Sequence, residues 1–154
     1  MSLVITTDQS RIDCNAVHAF LTEQAPWSRG IALATVTRAM QHSLCFAALE
    51  HDGPGAALIG FARVVTDRAT FAYLCDVFVL PQSRSRGVAR ALLAAIDQHA
   101  ELQGLRRFLL FTRDAHGLYA AQGFTPLTHP ERGMERLRSD LYTGGNQLAQ
   151  GTTA

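Results

Sequence analysis

Six residues carry the densest chemistry in this 154-residue chain: Arg84-Ser85-Arg86-Gly87-Val88-Ala89. They follow an apolar run, Phe71 to Leu80, that reads as a strand. They open a run from Ala89 to Ile96 that reads as a helix. A basic turn between a strand and a helix start is an anion site in outline. The first backbone N–H groups of a helix have no intrahelical acceptor, and the helix dipole adds positive potential there. Gly87 lets the backbone approach a ligand closely, and Ala89 is small for the same reason. Arg84, Arg86 and Arg90 add charge suited to phosphates. The spacing excludes two familiar phosphate sites. No Lys follows the glycine, as a P-loop requires, and a single glycine does not make a dinucleotide-binding turn.

A second candidate lies within the strand. Asp76 is a carboxylate in an otherwise apolar run, and such a group is costly if buried alone. It is either a general base, working through water, or one half of a salt bridge to Arg63 or Arg113. Period-two alternation puts it on one face with Leu74 and Phe78 unless a bulge shifts the register. Cys14, Cys45 and Cys75 are odd in number and widely spaced, with no C-x-x-C, so they read as buried thiols. A nucleophilic Cys75 is the sharper alternative. His42, His51, His99 and His129 are scattered, and no metal is expected.

The turn fits the [R/Q]-x-x-G-x-[G/A] signature of the GCN5-related N-acetyltransferases, and the chain resembles that family at a second place. Leu118-Tyr119-Ala120-Ala121-Gln122-Gly123-Phe124 is similar to its L-Y-x-x-x-G-F element, one strand–helix unit downstream. The resemblance covers about residues 3 to 138 and extends to small bacterial acetyltransferases. It implies acetyl-coenzyme A as acyl donor, with the diphosphate held by Arg84, Ser85, Arg86, Gly87, Val88, Ala89 and Arg90. It implies that Val77, Phe78 and Val79 offer backbone groups to the pantetheine arm from a bulged, splayed strand. Tyr119 would lie beside the sulfur and protonate the departing thiolate; packing in the core is the alternative. Asp114 would contact the coenzyme or cap the Tyr119 helix. His116 is a base or a surface residue. The Trp27 loop would wall the acceptor cleft as a lid or plug the core.

These groups need a scaffold. The hydrophobic content of 47% and charged content of 18% describe one globular domain, placed at 1–138 with a polar tail over 139–154. The net charge of +1 without charge blocks argues against nucleic acid, and no apolar run suits a membrane span. The N-terminus lacks the pattern of a signal peptide, so a cytoplasmic protein is expected. The expected partner is a small-molecule or peptide amine, and a homodimer is compatible with the sequence. Helices are predicted over about 11–21, 33–42, 88–102 and 115–122. Strands are predicted over 3–5, 44–50, 57–65, 70–80 and 108–111, with closing strands at 124–127 and 134–137. That β-α-α-β-β-β-α-β-α-β-β order is an α+β pattern, and it matches the acetyltransferase fold with a mixed sheet of six to seven strands. The activity this implies is transfer of acetyl to a primary amine by direct attack in a ternary complex. A non-catalytic acyl-coenzyme A sensor of the same fold is the alternative.

Overall fold

The computed structural model describes residues 2–143. Five strands form one sheet in chain order: β1 (Val4–Thr6), β2 (Leu44–Leu49), β3 (Leu58–Thr66), β4 (Phe71–Val79) and β5 (Arg107–Leu110). The first four are antiparallel, and β5 runs parallel to β4. That parallel pair needs a crossover, which α3 (Val88–Gln98) supplies.

Helices cover both faces. α1 (Cys14–Glu23) and α2 (Leu33–Gln41) lie on one side; there Val17, Phe20, Leu21 and Met40 pack with Cys45, Ala47, Phe61 and Phe78. α3 lies on the other, where Leu92, Leu93 and Ile96 meet Phe46, Ala48, Ile59 and Leu74. β2 is buried at every residue because its alternate side chains feed both cores, which explains its unbroken apolar sequence. α3 sits close to β3 at Gly60, where a Cβ would come 2.9 Å from Val88 Cγ1.

Local chemistry sets the helix ends. Asp13 accepts hydrogen bonds from the amides of Asn15 and Ala16 and starts α1. Asp8 closes a preceding turn at Gln9–Arg11, so α1 begins at Cys14, later than the predicted start near residue 11. α3 ends at Gln98, before a separate turn at Ala100–Leu102, because the Gln103 amide donates to the carbonyls of Asp97 and His99. α4 (His116–Ala120) stops before Gly123, whose φ of +88° suits glycine.

The predicted closing strands do not form, and among the described residues the sheet has five strands rather than six or seven. Residues 124–140 run as an irregular arm with one short turn at Pro130–Arg132. Pro126 and Pro130 have no N–H to donate, which disfavours the first of these strands and its exit. Residues 134–137 have no neighbouring strand. The chain then returns, and Tyr142 packs against the α1/α2 core. Gly30, at φ +86°, lies so close to the Tyr142 carbonyl that a Cβ would collide with it. The part of the polar tail from residue 144 onward lies outside the described residues. No helix among the described residues is long and apolar enough to cross a membrane.

Candidate active site

β4 changes character halfway along. Ala72 to Leu74 pair with both β3 and β5, and the stretch from Phe71 to Leu74 is in register with Arg107 to Leu110 of β5. Beyond Leu74 the pairing with β5 ends, and Cys75 to Val79 keep only β3 as a neighbour. A bulge falls at the same place. The register on β3 shifts between Phe61 and Arg63, and Asp76 has a φ of +51°. A non-glycine residue in that left-handed region costs about 1–2 kcal/mol. The bulge also reverses the alternation: Leu74 belongs to the α3 core and Phe78 to the α1/α2 core. The predicted sharing of one face by Leu74, Asp76 and Phe78 is therefore corrected.

Next comes the turn. Pro81–Ser83 make a short helical turn, and Arg84 Nε donates to the Val79 carbonyl at 3.1 Å. Ser85 at φ +61° and Gly87 at φ +79° are both left-handed. Such alternation aims successive N–H groups into one concavity. Gly87 is the N-cap of α3, and no side chain caps that end. A Cβ on Gly87 would meet nothing within 4 Å, so its backbone angle is what calls for glycine here. Arg84, Ser85, Arg86, Gly87 and Arg90 are exposed, Ala89 is half-buried and Val88 is in the core.

Asp76 is paired. Its Oδ2 accepts from Arg63 Nε at 2.8 Å, and its Oδ1 accepts from Trp27 Nε1 at 3.0 Å. Arg63 also donates from NH1 to Ser43 Oγ at 3.1 Å. Burial opposes the Arg63 charge, but the Asp76 carboxylate, its hydrogen bond and the neighbouring Cys75 and Cys45 together raise the guanidinium above its ordinary range. Of the two arginines predicted as partners, Arg63 is the one engaged. Trp27 is 56% exposed, so it is not a core plug. Its loop is fixed from beneath: Ser28 Oγ donates to the Leu21 carbonyl and the Gly30 amide to that of Thr22. The link from Trp27 to Asp76 was missing from the sequence reading. Its signal was an indole N–H and a lone strand carboxylate, each in need of a partner.

Tyr119 is buried beside Phe124, 6.1 Å between ring centroids, within the α3 core. Burial raises its pKa, so the phenol stays protonated at neutral pH. Its hydroxyl makes no hydrogen bond among the described residues. Asp114 is exposed and is not the cap of α4, contrary to one of the readings of the sequence. The cap position is Ala115, and the turn is held by the Ala115 amide donating to Thr112 Oγ1 at 3.0 Å. His116 is exposed at the first position of α4. Burial pushes the Cys75 thiol up to about 12 and that of Cys45 to about 11, which leaves neither as a thiolate at neutral pH. No cluster of His, Cys, Asp and Glu suited to a metal occurs among the described residues.

Known proteins share this fold. The sequence profile of the Acetyltransferase (GNAT) family matches residues 14–124, and the chain belongs to that family of acyl-transferring enzymes. A protein of Gibberella zeae, named for an inferred acetyltransferase activity, is 29% identical over 134 residues, 75% of each chain. A crystal structure from Xanthomonas campestris, assigned to the GNAT family as an inferred acetyltransferase, is 49% identical. It superimposes with a TM-score of 0.88 over 94% of this chain and 99% of its own. A Mycobacterium tuberculosis protein crystallised with CoA shares the fold at 22% identity and a TM-score of 0.59, over 81% of this chain and 76% of its own.

Proposed function

We propose that the protein is an N-acetyltransferase that moves an acetyl group from acetyl-coenzyme A to a primary amine, by direct attack in a ternary complex. One observation carries the reading: the half of β4 that loses its β5 neighbour leads directly into the uncapped start of α3. Exposed strand amides suit an extended amide-bearing arm, and uncapped helix amides suit a diphosphate. Acetyl-coenzyme A has both parts, and it supplies the acyl group as an activated thioester.

In this reading Val77, Phe78 and Val79 present backbone groups to the pantetheine arm. The turn from Arg84 to Ala89, with Arg90, holds the diphosphate, and Asp114 contacts the coenzyme from beyond β5. Tyr119 is the acid: its O–H proton goes to the sulfur as the C–S bond breaks. Asp76 is the base. Each of its oxygens keeps a lone pair beyond its bond to Arg63 or Trp27, and through water it takes the proton that the amine loses as the C–N bond forms. The high pKa of Cys75 supports direct transfer over a cysteine-bound acyl group. Trp27, exposed above Asp76, forms a wall for the acceptor, a small-molecule or peptide amine.

Free thiol release with a panel of primary amines tests this. The expected result is turnover with initial-rate lines that intersect when both substrates are varied. Parallel lines indicate a covalent acyl-enzyme. Calorimetric binding of acetyl-coenzyme A with no turnover on any amine indicates the sensor module.

A further inference from the structure

The face of the sheet that carries the Asp76–Arg63 pair is only partly covered. Side chains alternate along a strand, so the neighbours of residues in the α3 core point the other way. Val64, Ala72 and Leu74 lie in the α3 core, and Leu110 packs against it. Val65, Phe71, Tyr73, Cys75 and Leu109 therefore face the α1/α2 side. The helices reach only part of that side. Their core takes Leu58 and Phe61 from β3 and Phe78 from β4 and, among the described residues, nothing from β5. Val65 and Phe71 are exposed, and Tyr73, Cys75 and Leu109 are half-buried. Phe111, just past β5, is 69% exposed, and its ring meets Tyr73 edge-on at 6.2 Å between centroids.

This apolar, aromatic face is continuous with the site already described. Tyr73 precedes Asp76 by three positions on β4, about 10 Å along an extended strand. Burial raises the Tyr73 pKa, and the proximity of Cys75 and Asp76 raises it further, so its phenol is neutral. Trp27 stands at the Asp76 end through its indole N–H. The charges on the face point the same way. Asp76 is the one carboxylate in β3, β4 and β5, and Arg63 neutralises it. A second ammonium reaching along this face would meet Arg63 and no free carboxylate. An aromatic ring would meet two rings, in the edge or offset contacts that such rings prefer.

We propose that this face is the subsite for the body of the acceptor, and that the acceptor is an arylalkylamine: a monoamine whose carbon chain ends in an aromatic ring. The amine lies by Asp76 and Trp27, the chain follows β4, and the ring rests on Tyr73 and Phe111. The inference rests on the acyl-transfer reading for the place of the amine and adds the class of acceptor.

Three amines with the same four-carbon chain test it: phenylbutylamine ends in a ring, butylamine in a methyl group and diaminobutane in a second ammonium. With acetyl-coenzyme A as donor, kcat/KM for phenylbutylamine should exceed that of either other amine by about tenfold or more. Phe111→Ala should cut its ratio to butylamine by about fivefold or more. Phe111 is exposed, and a ratio measured on one preparation does not depend on the folded fraction. If the variant fails to fold, the three amines on the unaltered protein decide. Equal rates, or diaminobutane as the best acceptor, overturn the proposal. So does a preference that survives Phe111→Ala, and a lower mass of that variant by light scattering would then give the face to a second copy. A readout without turnover separates this inference from the acyl-transfer reading. Trp27 is the chain's one tryptophan, so its fluorescence reports on the Asp76 end of the face. With coenzyme A present, a saturable change on adding phenylbutylamine but not butylamine, weakened by Phe111→Ala, upholds the subsite even if no amine turns over, and only the transfer reading falls. No turnover and no such change overturn both.

Discussion

The two halves of β4 obey different rules. Ala72 to Leu74 are paired on both sides, and the side chains of Ala72 and Leu74 disappear into the α3 core. Cys75 to Val79 lack the β5 neighbour, carry a left-handed residue at Asp76, and hold a carboxylate where the pattern calls for an apolar side chain. The first half is what a strand does to stabilise a sheet. The second leaves backbone groups unpaired and places Asp76 in a costly conformation, held by Arg63 and Trp27. Departures of this kind, concentrated in five residues beside an uncapped helix, are where a sheet gives up stability for a binding surface.

If that contrast is functional, substitutions around the open half should change turnover more than stability. The largest effect is expected at Tyr119. Tyr119→Phe keeps the buried ring and removes only the proton, so kcat should fall by about 10²-fold or more with little change in coenzyme affinity. An unchanged rate would return Tyr119 to a packing role.

Asp76→Asn comes next. It keeps an acceptor for Trp27 and removes the charge beside Arg63. As a base working through water, already drawn on by Arg63, Asp76 should account for roughly 30-fold in kcat. A lower melting temperature with intact activity per folded molecule would instead make Asp76 a strut.

Gly87→Glu then probes the other end of the open half. A side chain at φ +79° strains the cap, and its charge repels a diphosphate. Acetyl-coenzyme A affinity should fall at least tenfold, about 1.4 kcal/mol, by calorimetry on folded protein. Unchanged affinity would sever the link between the open strand and the helix start.

The smallest effect is on stability in alkali. Burial raises the Cys75 thiol from an ordinary value of 9.0 to about 12, and Cys45 to about 11. Above pH 9.0 the unfolded chain loses these protons before the folded one does. Stability is therefore full below that pH and declines as pH rises towards about 12. Urea unfolding at about pH 8 and about pH 10.5 should show the decline, and Cys75→Ala should reduce it. An equal decline in the variant would mean that the Cys75 thiol is not the group responsible.

Much of this was legible in the sequence, and the exceptions have physical causes. α3 begins at Val88, as the strand–turn–helix spacing predicted, because Gly87 punctuates the chain locally. Asp76 was visible as an anomaly, and its pairing with Arg63 was one of two options. Its orientation was not readable, since one bulged residue inverts an alternation that is otherwise reliable. The start of α1 lies later than predicted because Asp8 and Asp13 have the same capping chemistry and only the intervening turn distinguishes them. The closing strands failed for a different reason. Apolar residues at 124, 127, 134 and 137 state a need for burial without naming the surface that provides it.

The contact between Gly30 and Tyr142 has a consequence for how such a chain can diversify. In the proposed mechanism the donor-side half of the site is written in one stretch, from β4 through the turn into α3, where each residue constrains its neighbours. The loop that carries Trp27 rests instead on a residue near the end of the described chain. Irregular segments tolerate insertions and substitutions better than the packed elements they connect. A lineage could therefore retune the wall above Asp76 by editing the segment around Tyr142, with the stretch from β4 to α3 untouched. The preference for an acceptor would then be inherited less faithfully than the reaction itself.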